Sequence, residues 1–126
     1  MAQGVLTGKY LPGKKAPAGS RATDKGSGAN MIKGWLREEV LEAVQNLKPI
    51  ADQAGLTMSQ LAIAWVLQNP NVSCAIMGAT KPKQVKENVK AAGVKLDADV
   101  MKAIDKALGN LPERGAAKTV SPNPRA

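Results

Sequence analysis

Between Leu36 and Gly109 the apolar positions recur at helical spacing and are interrupted by Gly and Pro. In LREEVLEAVQNLKPIADQAG, residues 36–55, the positions Val40, Leu41, Val44, Leu47, Ile50 and Ala54 recur as on one helical face. Pro49 lacks an N–H and steers Lys48 away from the α region, so a kink is expected there and a stop at Gly55. Thr57 and Gln60 fit a capping box that opens an apolar helix, MSQLAIAWVLQN, closed by Pro70. VSCAIM, residues 72–77, is apolar at nearly every position and predicts a short strand buried on both faces. The stretch GATKPKQVKEN, residues 78–88, reads as a loop feeding a helix that runs to about Ala92. A last helix is expected from Asp97, with Asp99 in its first turn, to Gly109.

The ends are less regular. Residues 1–6 read as the end of a strand or the loop leaving it. Gly8 to Gly34 is dense in Gly, Pro, Ala and Lys and predicts a long loop of the functional kind. The tail ERGAAKTVSPNPRA, residues 113–126, has no periodicity and is expected to be disordered. One convincing strand cannot pair its own N–H and C=O groups on both sides. The pattern of strand, loop and returning helix is a βα unit of a larger parallel sheet, so the sequence reads as part of a fold.

Composition changes this picture in three ways. Hydrophobic residues make up 44% of the 126 residues but aromatics only 2%, so the core must be built from small aliphatic side chains. Trp35 and Trp65 are then expected to pack rather than to stack on bases. The formal net charge of +8 calls for an anionic partner: nucleic acid, a phosphorylated small molecule or a membrane surface. No RNP-like aromatics, zinc spacing or helix-turn-helix pattern accompanies that charge, which argues against nucleic acid. No stretch resembles a membrane span or a secretory leader. The chain has no histidine, the commonest general base and zinc ligand, and no metal site is expected. The single Cys74 cannot form an internal disulfide, which makes a reducing cytoplasm the expected location. Its neighbours Ala75, Ile76 and Met77 predict a buried thiol.

Three stretches could meet an anion. GVLTGKY, residues 4–10, departs from the phosphate-loop pattern, with three residues between its glycines and Tyr10 after Lys9. It reads either as a flexible turn or as a backbone contact to phosphate helped by Lys9. Arg21, beside Ser20, offers a planar fork suited to phosphate oxygens, although a solvated arginine is the simpler reading. In GATKPKQVKEN, Gly78 and Ala79 permit close approach, and Thr80 can cap the helix or donate to an anion. Gln84 and Asn88 lie four apart with Glu87 adjacent, a set able to meet an adenine edge. Lys81 and Lys83 stand in the first turn, where acidic residues are the stabilising choice. An anion on that helix N-terminus would reconcile them. The alternative is a solvated surface helix with a weak Lys83–Glu87 pair.

The segments AQGVLTGKY, PAGSRAT, LKPIADQAGLTMSQLAIAWVLQNPNVSCAIMGATKPKQVKENVKA and AIDKALGN together resemble the C-terminal part of aldo-keto reductases, over about residues 1–112. The nearest group includes the β subunits of voltage-gated potassium channels. The resemblance implies an α/β fold: the C-terminal part of a (β/α)8 TIM barrel, helix-rich and incomplete in this chain, with residues 8–34 as the cofactor loop. It implies NADPH as the cofactor of an oxidoreductase that reduces carbonyls by hydride transfer. Under it, Ala2, Gln3 and Lys9 line the pyrophosphate. Ser20 and Arg21 close over the cofactor near its 2′-phosphate. Gly78, Thr80 and Gln84 surround the adenosine phosphate, and Glu87 and Asn88 recognise adenine.

The departures from the pattern are specific. The group's cofactor loop begins Ser-Pro-Leu, and Met1 stands at the Leu. No position matches the catalytic Asp, Tyr, Lys and His, so the chain by itself is expected to be a truncated, inactive portion. It would act when the missing part of the barrel is supplied. Two other readings compete: a non-catalytic binding or self-associating module, and a charge-driven nucleic-acid binder.

Overall fold

The structure, a computed structural model, describes residues 1–112. Among these residues six α-helices follow in order: α1 (Gly28–Ile32), α2 (Glu38–Asn46), α3 (Lys48–Gln53), α4 (Met58–Leu67), α5 (Pro82–Val89) and α6 (Ala98–Leu108). Short 3-10 turns lie at Ala2–Thr7, Arg21–Thr23 and Lys33–Trp35. Among the described residues no strand is formed.

The helix boundaries follow local chemistry. Glu38 and Glu39 occupy the first turn of α2, where carboxylates meet the positive end of the dipole. Pro49 splits the expected kinked helix in two and takes a first-turn position in α3, where its missing N–H costs nothing. Gly55 follows α3 with φ +67°, and Leu56 N–H returns to the Ala51 carbonyl at 2.9 Å. The capping box of α4 is formed: Gln60 N–H donates to Thr57 Oγ1 at 3.2 Å, and Thr57 N–H donates to Gln60 Oε1 at 3.0 Å. Asp97 caps α6 by accepting from Val100 N–H at 2.8 Å.

Two largely aliphatic clusters hold these helices. Val5, Tyr10, Ile32, Val40, Leu41 and Val44 form the first. Leu47, Ala51, Leu61 and Ile104 form the second, with Trp65 packed against it. Leu6 and Met58 touch both and join them. Glutamine side chains tie elements across the gaps. Gln45 Nε2 donates to the carbonyls of Gly8 and Tyr10, each at 3.1 Å, and Gln60 Nε2 donates to the Glu87 carbonyl at 2.9 Å. Gln68 donates to the Val94 carbonyl at 3.0 Å and accepts from Leu96 N–H at 3.2 Å.

Several expectations are corrected. Residues 72–77 form no strand and are not buried: Ile76 is 97% exposed, and Cys74 is exposed rather than a core thiol. The physical reason is the one that makes strands cooperative, since an extended run with no paired neighbour gains no ladder hydrogen bonds. Residues 2–6 belong to a 3-10 turn, not a strand end. The stretch from Gly8 to Gly34 is more structured than a loop. Tyr10 and Ile32 are buried in it, and Asp24 accepts from the amides of Gly26 and Gly28 at 3.2 and 3.0 Å. Trp35 is 46% exposed instead of packed. The expected disordered tail, 113–126, lies outside the described residues.

Candidate functional site

The site is built from the backbone turn at the start of the chain. Ala2 and Gln3 have positive φ of 42° and 57°, and Gly4 follows at φ 97°. Such conformations cost an L-residue roughly 1–2 kcal/mol each and concentrate at functional positions. Thr7 Oγ1 braces the turn by donating to the Gly4 carbonyl at 2.7 Å. Turned this way, Gln3 presents its side-chain carbonyl oxygen to the Arg21 guanidinium, which donates a hydrogen bond to it. Residues 18 apart in sequence thus fix each other.

Arg21 is further positioned by Gly28. A Cβ at Gly28 would stand 2.5 Å from Asp24 Oδ2 and 3.1 Å from Arg21 Cγ, so glycine lets α1 pack against the Arg21–Thr23 turn. Lys9 places its ammonium 5.2 Å from the Tyr10 ring centroid, a cation–π contact.

Gln3, Lys9 and Arg21 line one cleft of about 660 Å³. Its wall also brings in Ala2, Gly78, Thr80, Gln84 and Asn88, all singled out from the sequence. Two others stand apart. Ser20 is buried with its hydroxyl unpartnered, and it does not line the cleft. Glu87 lines a different surface and pairs with Lys90 at 2.9 Å, not with the Lys83 that the alternative reading of a solvated helix offered. The cleft takes in Trp35 and Ser59 as well, which sequence reading does not assign to a site. Ser59 follows the Thr57 cap of α4, a helix start that could have flagged it. Trp35 carries no such signal.

The electrostatics are one-sided. Among the described residues, the lining carries the cations Lys9 and Arg21 and no carboxylate. At the mouth of α5, three donors converge on one oxygen. Gln84 Oε1 accepts from Thr80 N–H at 2.8 Å, Thr80 Oγ1 at 3.2 Å and Lys81 N–H at 3.2 Å. These two amides, expected to be open, are therefore satisfied by the helix's own glutamine. Thr80 does not cap α5; Lys81 occupies that position. The donors are nonetheless aligned as an anion would require, with a neutral carbonyl oxygen standing where an anionic one could.

Over residues 1–108 the sequence matches the model of the Aldo/keto reductase family. The chain belongs to that family. The fold of aldo/keto reductases is the TIM barrel, and the described residues of this member form helices and no strand. The chain is similar to the probable voltage-gated potassium channel subunit beta of Arabidopsis thaliana, at 44% identity over 90% of this chain and 35% of the relative. It is also similar to the putative voltage-gated potassium channel subunit beta of Schizosaccharomyces pombe, at 45% identity over 86% of this chain and 32% of the relative. It therefore spans about a third of the length of these relatives. Among the described residues of this aldo/keto reductase, no group of three or more His, Cys, Asp or Glu could hold a metal ion. No helix there is long and apolar enough to cross a membrane.

Proposed function

We propose that the cleft binds the adenosine-phosphate and pyrophosphate end of NADPH, and that the chain is the C-terminal portion of an aldo-keto reductase barrel. The observation that carries this is the convergence of Gln3, Lys9, Arg21, Thr80 and Gln84 on one cleft whose lining, among the described residues, carries no carboxylate. The residue types fit a polyanionic ligand. Arg21 and Lys9 supply charge, and Gln3 holds the guanidinium fork in one orientation. Thr80 and the amides at the mouth of α5 supply aligned donors that a phosphate oxygen would take over from Gln84. Asn88, on the next turn of α5, offers a donor and an acceptor to the adenine edge. Glu87 would need to leave Lys90 to join it.

When bound, the nicotinamide supplies the hydride for carbonyl reduction in this family. This chain's part is grip at the far end of the cofactor, which is remote from the reacting bond and acts by positioning. The sequence holds no histidine, so the family's catalytic set is not complete within it. The proposed partners are NADP(H) and the polypeptide that completes the barrel, in the cytoplasm.

The test is a titration of NADPH against NADH followed by Trp35 and Trp65 fluorescence. NADPH should bind more tightly, because only it carries the 2′-phosphate. Arg21→Ala should weaken NADPH binding by about 10- to 100-fold, the equivalent of one charge-assisted hydrogen bond of ~1.5–3 kcal/mol. NADH binding should change little. Equal affinity for the two cofactors, or no binding of either, would reject the reading.

A further inference from the structure

The chain has two Trp, one Tyr and no Phe. Two of these aromatic side chains are used in packing: Tyr10 is 2% exposed in the first aliphatic cluster, and Trp65 packs against the second. Trp35 belongs to neither cluster and is 46% exposed, whereas Leu36 beside it packs against the first. The Trp35 indole donates no hydrogen bond to another described residue, and no described cation lies over its ring. What it does line is the cleft, in company with Gln3, Lys9 and Arg21. A large apolar ring facing water is an unfavourable placement that the face of a ligand would relieve.

We infer that Trp35 is a specificity-determining residue of the cleft: its indole is the wall on which the ligand's adenine ring stacks. The inference rests on the reading of the cleft proposed above and adds to it the contact that selects the ring. Its placement follows from how the turns meet. Helix α1 packs against the Arg21–Thr23 turn, and the chain passes from α1 directly into the Lys33–Trp35 turn, which packs against Ala2–Thr7. Trp35 therefore stands on the side of the cleft where Gln3 holds Arg21. Arg21 is the proposed holder of the 2′-phosphate, and in NADPH that phosphate sits on the ribose that carries adenine. The ring within reach of Trp35 is then adenine, because the nicotinamide lies beyond the pyrophosphate. Indole and purine faces attract by offset stacking, while Asn88 meets the purine edge. Lys9 and Arg21 select the anionic part of the same molecule. Ring and phosphates are gripped together, so a ligand that lacks either uses only part of the cleft.

The experiment is isothermal titration calorimetry of adenosine 2′,5′-bisphosphate, NADPH and NADH against the full chain, on the wild type, Trp35→Leu and Trp35→Phe. Heat is the readout because the variants remove a fluorescent reporter. Trp35→Leu should weaken all three ligands to a similar degree, by about 5- to 100-fold, as loss of one base–aromatic stack does. Trp35→Phe should recover most of that loss, since it keeps an aromatic face. The ratio of NADPH to NADH affinity should hold in both variants, because the two ligands carry the same adenine. A merely structural role, acting through the Arg21 turn, would change that ratio as Arg21→Ala does. Helical circular dichroism should be unchanged at this exposed position. Affinities that Trp35→Leu leaves unaltered overturn the inference alone and leave Trp35 to the polypeptide that completes the barrel. A loss that Trp35→Phe does not recover, or one confined to NADPH, overturns it too, because ring stacking is then not the contact removed. So does a loss that spares adenosine 2′,5′-bisphosphate, which would put the nicotinamide on Trp35. A wild type that binds none of the three ligands rejects the reading of the cleft itself, and the inference falls with it.

Discussion

At the scale of single residues, the cleft depends on side chains that hold other side chains. Gln3 fixes Arg21 through one hydrogen bond, and Gly28 leaves room for Arg21 and Asp24 to lie where they do. Gly28→Ala would drive a methyl group to 2.5 Å from Asp24 Oδ2. The helix-propensity gain of up to ~1 kcal/mol is outweighed by overpacking of about 1–3 kcal/mol. Thermal denaturation should therefore show net destabilisation, and NADPH affinity should fall as Arg21 shifts. Gly34 is the control, because a Cβ there meets nothing within 4 Å and Gly34→Ala should be stabilising or neutral. Arg21 is legible in the sequence as a candidate phosphate ligand because guanidinium chemistry is local to the residue. Its dependence on Gly28 is not, since that clash exists only once α1 has packed.

At the scale of elements, helix ends are legible and helix partners are not. Thr57 with Gln60, Pro49, Gly55 and Asp97 act on backbone within a few residues of themselves, and each does in the structure what its type requires. Thr57→Ala should cost roughly 1 kcal/mol by loss of the cap, read from urea denaturation with an unchanged m-value. A loss below a few tenths would show that α4 is held by packing alone. Gln60 serves twice, since its oxygen closes the capping box while its nitrogen reaches the Glu87 carbonyl near the end of α5. Gln45 and Gln68 make similar ties between elements. Sequence patterning treats such glutamines as polar surface, and only the approach of a second element makes them anchors. The strand expected at residues 72–77 is the opposite case. An apolar run of this kind calls for ladder partners, and without them among the described residues it stays irregular and largely exposed.

At the scale of the whole molecule, the cleft is assembled from residues near the start of the chain, Arg21, Trp35, Ser59 and the stretch that ends at Asn88, which are distant along the sequence. A ligand bridging them binds the folded state and not the unfolded one. NADPH at a hundred times its Kd should therefore raise stability by about 2.7 kcal/mol, seen as a higher Tm, and NADH at the same concentration should raise it less. An unchanged Tm at saturating NADPH would mean that the cleft is not its site. The sequence by itself determined the family, the helix caps, the basic surplus and most of the residue types that face the cleft, because each is carried by composition or by contacts a few residues long. Tertiary structure alone decided that Ser20 and Glu87 stay out of the cleft, that Trp35 and Ser59 enter it, and that residues 73–79 find no hydrogen-bond partner among the described residues. Those outcomes turn on where separate elements meet, and burial, charge pairing and strand formation are properties of the meeting rather than of either partner.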